Sequence, residues 1–498
     1  MRFDDPIFLF EFLPIFFAAY YLAIAVDGLH PRLAGVGARA AAVVLLAASV
    51  WLLTRNPLGW LMLGSAFTTM LLGAVAEQTR RRSQFAARLA LAGAMTATIA
   101  MFTIGRLSVG GSVFALTGVS VLACQELAFI LDLHAGLATT ANPATAWLYL
   151  IQFPVLPAGP LIRFQDIDRR WHKLTDSTTL GAFTYGMRRL ITGLIKVMAI
   201  AEALATPVDA IYALPASQVS ADAAWFAALC FALQLYFQFS GYADIAIGLG
   251  RMLGLRYPEN FHRPYLADSV REFWRRWHVT SITWLRDYFA FPMAGRDAPT
   301  LGLLPSILTG FALLGFWYGG GWTVAVWAVY SSAFLAFEAV GLGARISSWP
   351  RALRHVYVLL VVTVGWVILR AESVAAAGSM LQVMFGMRGW PHLTAARYLT
   401  TQVWIALTLG VIGAGPLIPW LSRWRVSVDA VTASIVMMIT SVSLFVWRAA
   451  SVFLYVAPKR RQTRRDLGVP PSPLSHGDQS GEPEIHQGVD QRDHRQSP

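Results

Sequence analysis

Ala223-Ala-Trp-Phe-Ala-Ala-Leu-Cys-Phe-Ala-Leu-Gln-Leu-Tyr-Phe-Gln-Phe-Ser-Gly-Tyr-Ala-Asp244 runs for 21 residues without a charge and then ends on a carboxylate. About 20 residues of apolar helix cross the hydrocarbon of a bilayer. The apolar run 223–239 is therefore long enough to span, and it delivers Gln238, Ser240, Tyr242 and Asp244 to membrane depth or close to it. Ionisable groups are costly there and face a cavity or one another. The stretch reads as a membrane helix with a working polar face.

Working outward, similar apolar runs occupy Phe8–Val26, Leu58–Ala76, Leu89–Gly105, Gly111–Leu131 and Leu190–Ala205 upstream. Downstream lie Leu301–Trp317, Trp322–Val340, Val356–Leu369, Gln402–Leu417 and Ala430–Trp447, and two shorter runs cover Ala40–Thr54 and Ala146–Ala158. The expected fold class is all-α, a polytopic transmembrane protein of roughly eleven to thirteen membrane segments, some of them re-entrant. The composition agrees: of 498 residues, 56% are hydrophobic and only 14% charged, whereas soluble domains carry about a quarter charged residues.

The net charge of +12 does not argue for nucleic acid. The basic residues sit between apolar runs, where the positive-inside rule puts them. Arg32 and Arg39, then Arg80, Arg81, Arg82 and Arg88, and finally Lys459, Arg460, Arg461, Arg464 and Arg465 place these loops and the C-terminal tail in the cytoplasm and the N-terminus outside. The expected location is the bacterial inner membrane. The first apolar run lacks a small-residue cleavage site and is expected to stay as the first span. Residues 457–498 lose their aromatics and read as a disordered cytoplasmic tail, with its three histidines as spectators. The membrane domain is 1–456. Cys124 and Cys230 have no CxxC partner, and neither a phosphate loop nor an HExxH helix is present. No metal and no bound cofactor are expected.

Residues 234–295 concentrate the chemistry. They collect Asp244, Arg251, Arg256, Glu259, Arg263, Arg275, Arg276, His278, Arg286 and Asp287 among Trp274, Trp277, Trp284 and Tyr288, with Pro258 and Pro264 interrupting any long helix. An ordinary cytoplasmic loop with interfacial aromatics would explain any one of these residues. Their density points to a re-entrant, cavity-lining segment. Arg supplies planar, bidentate phosphate contacts, so the segment suits a phosphate-bearing donor such as a coenzyme A thioester.

Particular strings sharpen this. Phe239-Ser-Gly-Tyr-Ala-Asp-Ile-Ala-Ile-Gly-Leu-Gly, Pro258-Glu-Asn-Phe-His-Arg-Pro-Tyr, Glu272-Phe-Trp-Arg-Arg-Trp-His and Trp284-Leu-Arg-Asp-Tyr stand in order. Gly118-Val-Ser with Leu131-Asp132, Ala158-Gly-Pro-Leu-Ile-Arg, Gly365-Trp-Val-Ile-Leu-Arg-Ala-Glu and Met384-Phe-Gly flank them. Over roughly residues 8–455 the chain resembles the membrane-bound O-acyltransferase family, in its bacterial alginate and exopolysaccharide O-acetylation branch, which is similar to the teichoic-acid D-alanylation proteins. The resemblance implies a central tunnel, a cytoplasmic thioester donor (acetyl-coenzyme A by default), an acceptor on the far side, and a periplasmic acetyltransferase partner working on a polysaccharide. It also implies that Ser240, Tyr242, Asp244, Asn260, Arg263, Arg275, Arg276, Trp277, Arg286, Asp287, Tyr288 and Trp317 bind substrate.

One departure stands out. The family places a membrane-embedded His in a Trp-His-Gly-x-x-Trp frame, and this chain reads Trp317-Tyr318-Gly-Gly-Gly-Trp322. A second His position is Ser331, in Trp327-Ala-Val-Tyr-Ser-Ser. Acyl transfer to a hydroxyl needs a base, and imidazole has the right pKa, near 6.5, whereas phenol, near 10, is a poor base. His278 is the motif histidine that survives and is the candidate base, with Tyr318 as a hydrogen-bond donor. His262 is a second candidate, better read as a loop residue. His30, His134, His172, His355 and His392 match no motif. Two functions follow: an O-acetyltransferase with a relocated base, or a catalytically impaired relative serving as scaffold or channel in polysaccharide assembly. An ion-coupled transporter would explain the intramembrane charge but none of the ordered strings.

Overall fold

The computed structural model describes residues 3, 5–29, 35–109, 117–171, 177–295, 304–318, 321–387 and 394–416. All regular structure in these residues is helical. The last apolar run, Ala430–Trp447, the tail 457–498, Arg32, His30, His172 and His392 lie outside the described residues, as do the side chains of Trp317 and Tyr318.

In chain order the helices that matter are α1 (Ile7–Ala25), α2 (Val36–Thr54), α3 (Gly59–Thr79), α4 (Gln84–Ser108), α5 (Gly118–Ala135), α6 (Pro143–Ile151), α7 (Leu180–Tyr212), α8 (Ala221–Met252), α9 (Val270–Arg276), α10 (Val279–Leu285), α11 (Leu304–Tyr318), α12 (Trp322–Ser347), α13 (Arg351–Arg370), α14 (Val374–Met384) and α15 (Thr401–Ala414). Among the described residues nine of them, α1–α5, α7, α8, α12 and α13, are long and apolar enough to cross a membrane. The protein is an all-α, multi-pass membrane protein.

Three expectations are corrected in detail. The run Ala146–Ala158 does not span: α6 stops at Ile151 and the chain turns extended at Gln152, since Pro154 and Pro157 follow at once and cannot continue a helix. The run Leu190–Ala205 is the middle of a 33-residue helix that includes Arg188, Arg189 and Lys196. The run Ala223–Phe239 continues unbroken to Met252, so Ser240, Tyr242 and Asp244 ride on a regular helix. Broken backbone begins only at Leu253.

α7 and α8 form the closest crossing. A Cβ on Gly186 would stand 2.5 Å from the Gly248 carbonyl oxygen, and one on Gly193 would stand 2.6 Å from that of Gly241. Gly186 and Gly193, like Gly241 and Gly248, are seven residues apart, so each pair lies on one helix face. Small residues let membrane helices touch backbone to backbone. α7 also carries a π-turn at Lys196–Ala201, a feature that recurs where a helix must re-aim a side chain.

Candidate functional site

At the α7–α8 contact the Asp244 carboxylate, 5% exposed, is held by the Arg189 guanidinium at 2.7 Å and the Lys196 ammonium at 2.6 Å. Arg189 also reaches Glu259 at 2.5 Å. Two cations and two carboxylates thus neutralise one another, as buried charges require. Asp244 therefore acts in the structure as the hub of an ion cluster that locks α7 to α8 and to the loop after it. Arg189 escapes a reading of the sequence by apolar runs because the run begins one residue past it, and Lys196 because it is a single charge inside that run. Their seven-residue spacing, in step with the glycines, is the signal that finds them.

From Leu253 the chain folds back as a pinned loop. The N–H of His262 donates to Arg276 O at 2.9 Å, and that of Val279 to Asn260 O at 2.9 Å. Asn260 Oδ1 accepts from Thr280 N at 3.1 Å and from Thr280 Oγ1 at 2.9 Å. Asn260 thus anchors the backbone on the C-terminal side of His278. On the other side α9 is capped twice. Ser269 Oγ, at the N-cap, accepts from Glu272 N at 3.0 Å, and Glu272 Oε2 accepts from Asp268 N at 3.0 Å, one residue before the donor a standard capping box would use. The Glu338 carboxylate, from α12, accepts from Val270 N at 2.7 Å and Arg271 N at 2.9 Å.

Between these anchors His278 takes a left-handed backbone, φ 48° and ψ 48°. With Arg263, it is one of two non-glycine residues at positive φ among the described residues. Such a conformation costs about 1–3 kcal/mol and persists where its surroundings over-determine it. The imidazole is buried, with Nδ1 2.6 Å from Ser281 Oγ. Its ring lies 5.4 Å from Phe239 and 5.3 Å from Phe261, centroid to centroid, in edge-on packing. Burial pushes its pKa down to about 4, so the ring is neutral at neutral pH.

Distant strings converge here. Trp277 packs 5.0 Å from Trp366 and Trp274 5.8 Å from Trp327, ring centre to ring centre. Trp366 Nε1 donates to Tyr265 at 3.2 Å, and Tyr265 in turn to Ala232 O at 2.7 Å. Ser331 lines a void of about 10 Å³ against Trp274, Trp327 and Trp366. On the other flank Leu161 N donates to Thr280 Oγ1 at 3.0 Å, Arg163 is paired with Asp287, and Tyr288 donates to Asp132 at 3.0 Å. Burial, then the Asp132 carboxylate, raises the Tyr288 phenol.

The other expected site residues divide. Arg276 is paired with Glu272, and Arg286 with Asp287 at 2.9 Å. Arg275 and His262 are exposed and Arg263 is half-buried. Ser240 is buried and its hydroxyl has no hydrogen-bond partner among the described residues. Tyr242 lines a separate cavity of about 500 Å³. Tyr318 ends α11.

An all-α multi-pass membrane protein with a buried, motif-built histidine site defines the class. The membrane-bound O-acyltransferase family profile matches residues 51–381. The "Probable alginate O-acetylase AlgI" of Azotobacter vinelandii is 33% identical over 431 residues, 82% of this chain and 83% of the relative. The "Peptidoglycan O-acetyltransferase" of Helicobacter pylori is 26% identical over 78% of this chain and 80% of its own. The "Teichoic acid D-alanyltransferase" of Bacillus subtilis is 26% identical over 45% of this chain and 59% of its own. This chain belongs to the membrane-bound O-acyltransferase family, and its reaction class is O-acyl transfer.

Proposed function

We propose that this protein uses acetyl-coenzyme A at the cytoplasmic face of the bacterial inner membrane to O-acetylate an exopolysaccharide on the periplasmic side, with a periplasmic partner working on the same polymer. The observation that carries the proposal is the convergence of strings scattered from Asp132 to Trp366 on one buried assembly around a strained His278. The relatives named for O-acetyl transfer to alginate and to peptidoglycan support the acyl group and the acceptor class.

In this reading the acceptor hydroxyl oxygen attacks the thioester carbonyl carbon. A C–O bond forms, the C–S bond breaks, and the hydroxyl proton passes through the base to the leaving thiolate, giving an acetyl ester and coenzyme A. His278 is the base. Ser281 Oγ, accepting from Nδ1–H, holds the tautomer whose Nε2 can take the proton. The depressed pKa keeps the ring unprotonated at neutral pH, at the cost of some basicity. Arg263, Arg275 and Arg286 receive the phosphates of the donor at the loop surface, with Asn260, Arg276, Trp277, Asp287, Tyr288 and Trp317 framing the site. Ser240 offers a hydroxyl and Tyr318 a phenol for the acyl carbonyl. The Arg-rich loops 80–88 and 32–39 put the donor side in the cytoplasm and the N-terminus outside, and residues 457–498 form a cytoplasmic tail.

Acyl transfer by purified, reconstituted protein given radiolabelled acetyl-coenzyme A tests this. Label transfer by the wild type that vanishes in His278→Ala supports it. An inactive wild type that gains activity as Tyr318→His would make the chain a scaffold whose chemistry has been lost.

A further inference from the structure

Asp244 and Glu126 are both buried inside membrane-length helices, 5% and 0% exposed, and they are treated in opposite ways. Asp244 is matched by the Arg189 guanidinium and the Lys196 ammonium. Glu126, the ninth of the 18 residues of α5, meets only hydroxyls. Its Oε2 lies 2.7 Å from Ser65 Oγ of α3 and 2.8 Å from Thr98 Oγ1 of α4. Its Oε1 has no hydrogen-bond partner among the described residues.

No cation stands near enough to balance a charge there. α5 packs chiefly on α4, α3 and α6. On α4, Arg88 is ten residues from Thr98 and Arg106 eight, about 15 Å and about 12 Å along the axis. On α3, Glu77 is 12 residues from Ser65, about 18 Å, and its carboxylate accepts from Thr140 N at 2.6 Å. α6 offers the Tyr149 phenol, which donates to Gln125 O at 3.2 Å. On α5 itself Cys124 is a buried thiol, and Asp132 and His134 lie toward the C-terminal end. A bare carboxylate held by two neutral hydroxyls at this depth would be costly.

The hydrogens can also be counted. Thr98 Oγ1 stands within donating distance of Ala94 O as well, at 3.1 Å. The three contacts need three hydrogens, and the two hydroxyls carry one each. Ser65 supplies Oε2 and Thr98 supplies Ala94 O. The remaining hydrogen, between Oε2 and Thr98 Oγ1, is one that a protonated carboxyl would supply.

We propose that Glu126 is a proton-binding site in the middle of the α3–α4–α5 bundle, with the proton on Oε2 and donated to Thr98 Oγ1. The ligand is a proton rather than a metal ion. The hydroxyls already touch Oε2 at hydrogen-bonding distance, and among the described residues no three His, Cys, Asp or Glu side chains gather anywhere. The site is separate from His278 and stands whether or not the acyl-transfer reading does. Its proton sits on the same helix whose Asp132, six residues on, accepts from Tyr288.

Full-length protein in lipid nanodiscs at neutral pH tests this without turnover. The infrared difference between wild type and Glu126→Gln should contain the C=O band of one protonated carboxylic acid. Carboxylate bands in its place would overturn the proposal. Ser65→Ala and Thr98→Val leave the carboxyl where it is, so the test survives if Glu126→Gln fails to fold. Each should move the acid band, and a band that neither moves does not belong to this site and would overturn the assignment. Dicyclohexylcarbodiimide, an apolar reagent that needs the acid proton to react, should label the α5 peptide containing Glu126, with the label lost in Glu126→Gln. An unlabelled Glu126 would contradict the proposal. Replacing choline by sodium in the buffer should leave labelling unchanged, and protection by sodium would make this a metal-ion site instead.

Discussion

α8 serves two neighbourhoods built on opposite plans. Past its C-terminal end, in residues 253–288, Asn260, Trp277, Glu272 and Asp287 are each tied to a named partner, and the backbone at His278 is clamped on both sides. Along its middle, Gln234, Gln238 and Tyr242 face open volume. The first region spends its polar groups on its own geometry, as a pre-organised reacting centre must. The second leaves polar groups lining open volume. The two regions should therefore separate on stability: substitutions in the pinned region cost stability and function together, and those in the cavity leave stability near the wild-type value.

The ion cluster joins the two regions and should give the largest effect. Asp244→Ala leaves Arg189 and Lys196 without their shared carboxylate and should destabilise by about 3–5 kcal/mol, read as loss of folded protein on heating in detergent. If melting is unchanged, the cluster is no anchor. Gly248→Ala comes next. Its methyl would stand 2.6 Å from Gly186 O and Leu190 N, both backbone atoms, and overpacking of this kind costs about 1–3 kcal/mol or more. Asn260→Ala removes the acceptor for two Thr280 donors, at about 1–3 kcal/mol. It should lower turnover more than stability predicts, because His278 loses its anchor, and normal turnover at the temperature where the variant is folded would sever that link.

The pH dependence sharpens the same contrast. His278 titrates near 6.5 in the unfolded chain and near 4 in the folded one, so between those values the unfolded state holds more protons. Its contribution to stability is complete above about 6.5 and falls as pH drops toward about 4. His278→Gln should flatten that slope, measured as melting temperature against pH. A slope unchanged by the variant would show that the ring is not buried neutral. The smallest effect belongs to the cavity: Gln234→Leu removes a buried oxygen with no partner among the described residues and should be neutral or stabilising by about 1 kcal/mol, read as melting temperature.

Much of the fold was legible because membrane helices must be long and apolar, and the runs around Phe8, Leu58, Trp322 and Val356 reappear as α1, α3, α12 and α13. Helix ends were less so. Arg189 and Lys196 broke the apolar pattern of α7, and their carboxylate partners Asp244 and Glu259 make them tolerable inside it. The Ser269-x-x-Glu272 capping pattern was readable in principle. Glu338, which caps the same helix from α12, was not, because nothing local marks a carboxylate that serves another segment. His278 could be singled out by its motif, but its left-handed backbone and its contact with Ser281 depend on Asn260, 18 residues away in sequence. The amide stripe of α8 was visible as a spacing, and its meaning came only with the cavity it faces.

The most direct test uses proteoliposomes in which one orientation has been selected. Labelled acetyl-coenzyme A is added on the side of the Arg80–Arg82 loop and an oligosaccharide acceptor is sealed on the other. The account predicts acetylated saccharide on the far side, abolished in His278→Ala. Product formed only when donor and acceptor share one side, or formed equally by His278→Ala, would contradict it.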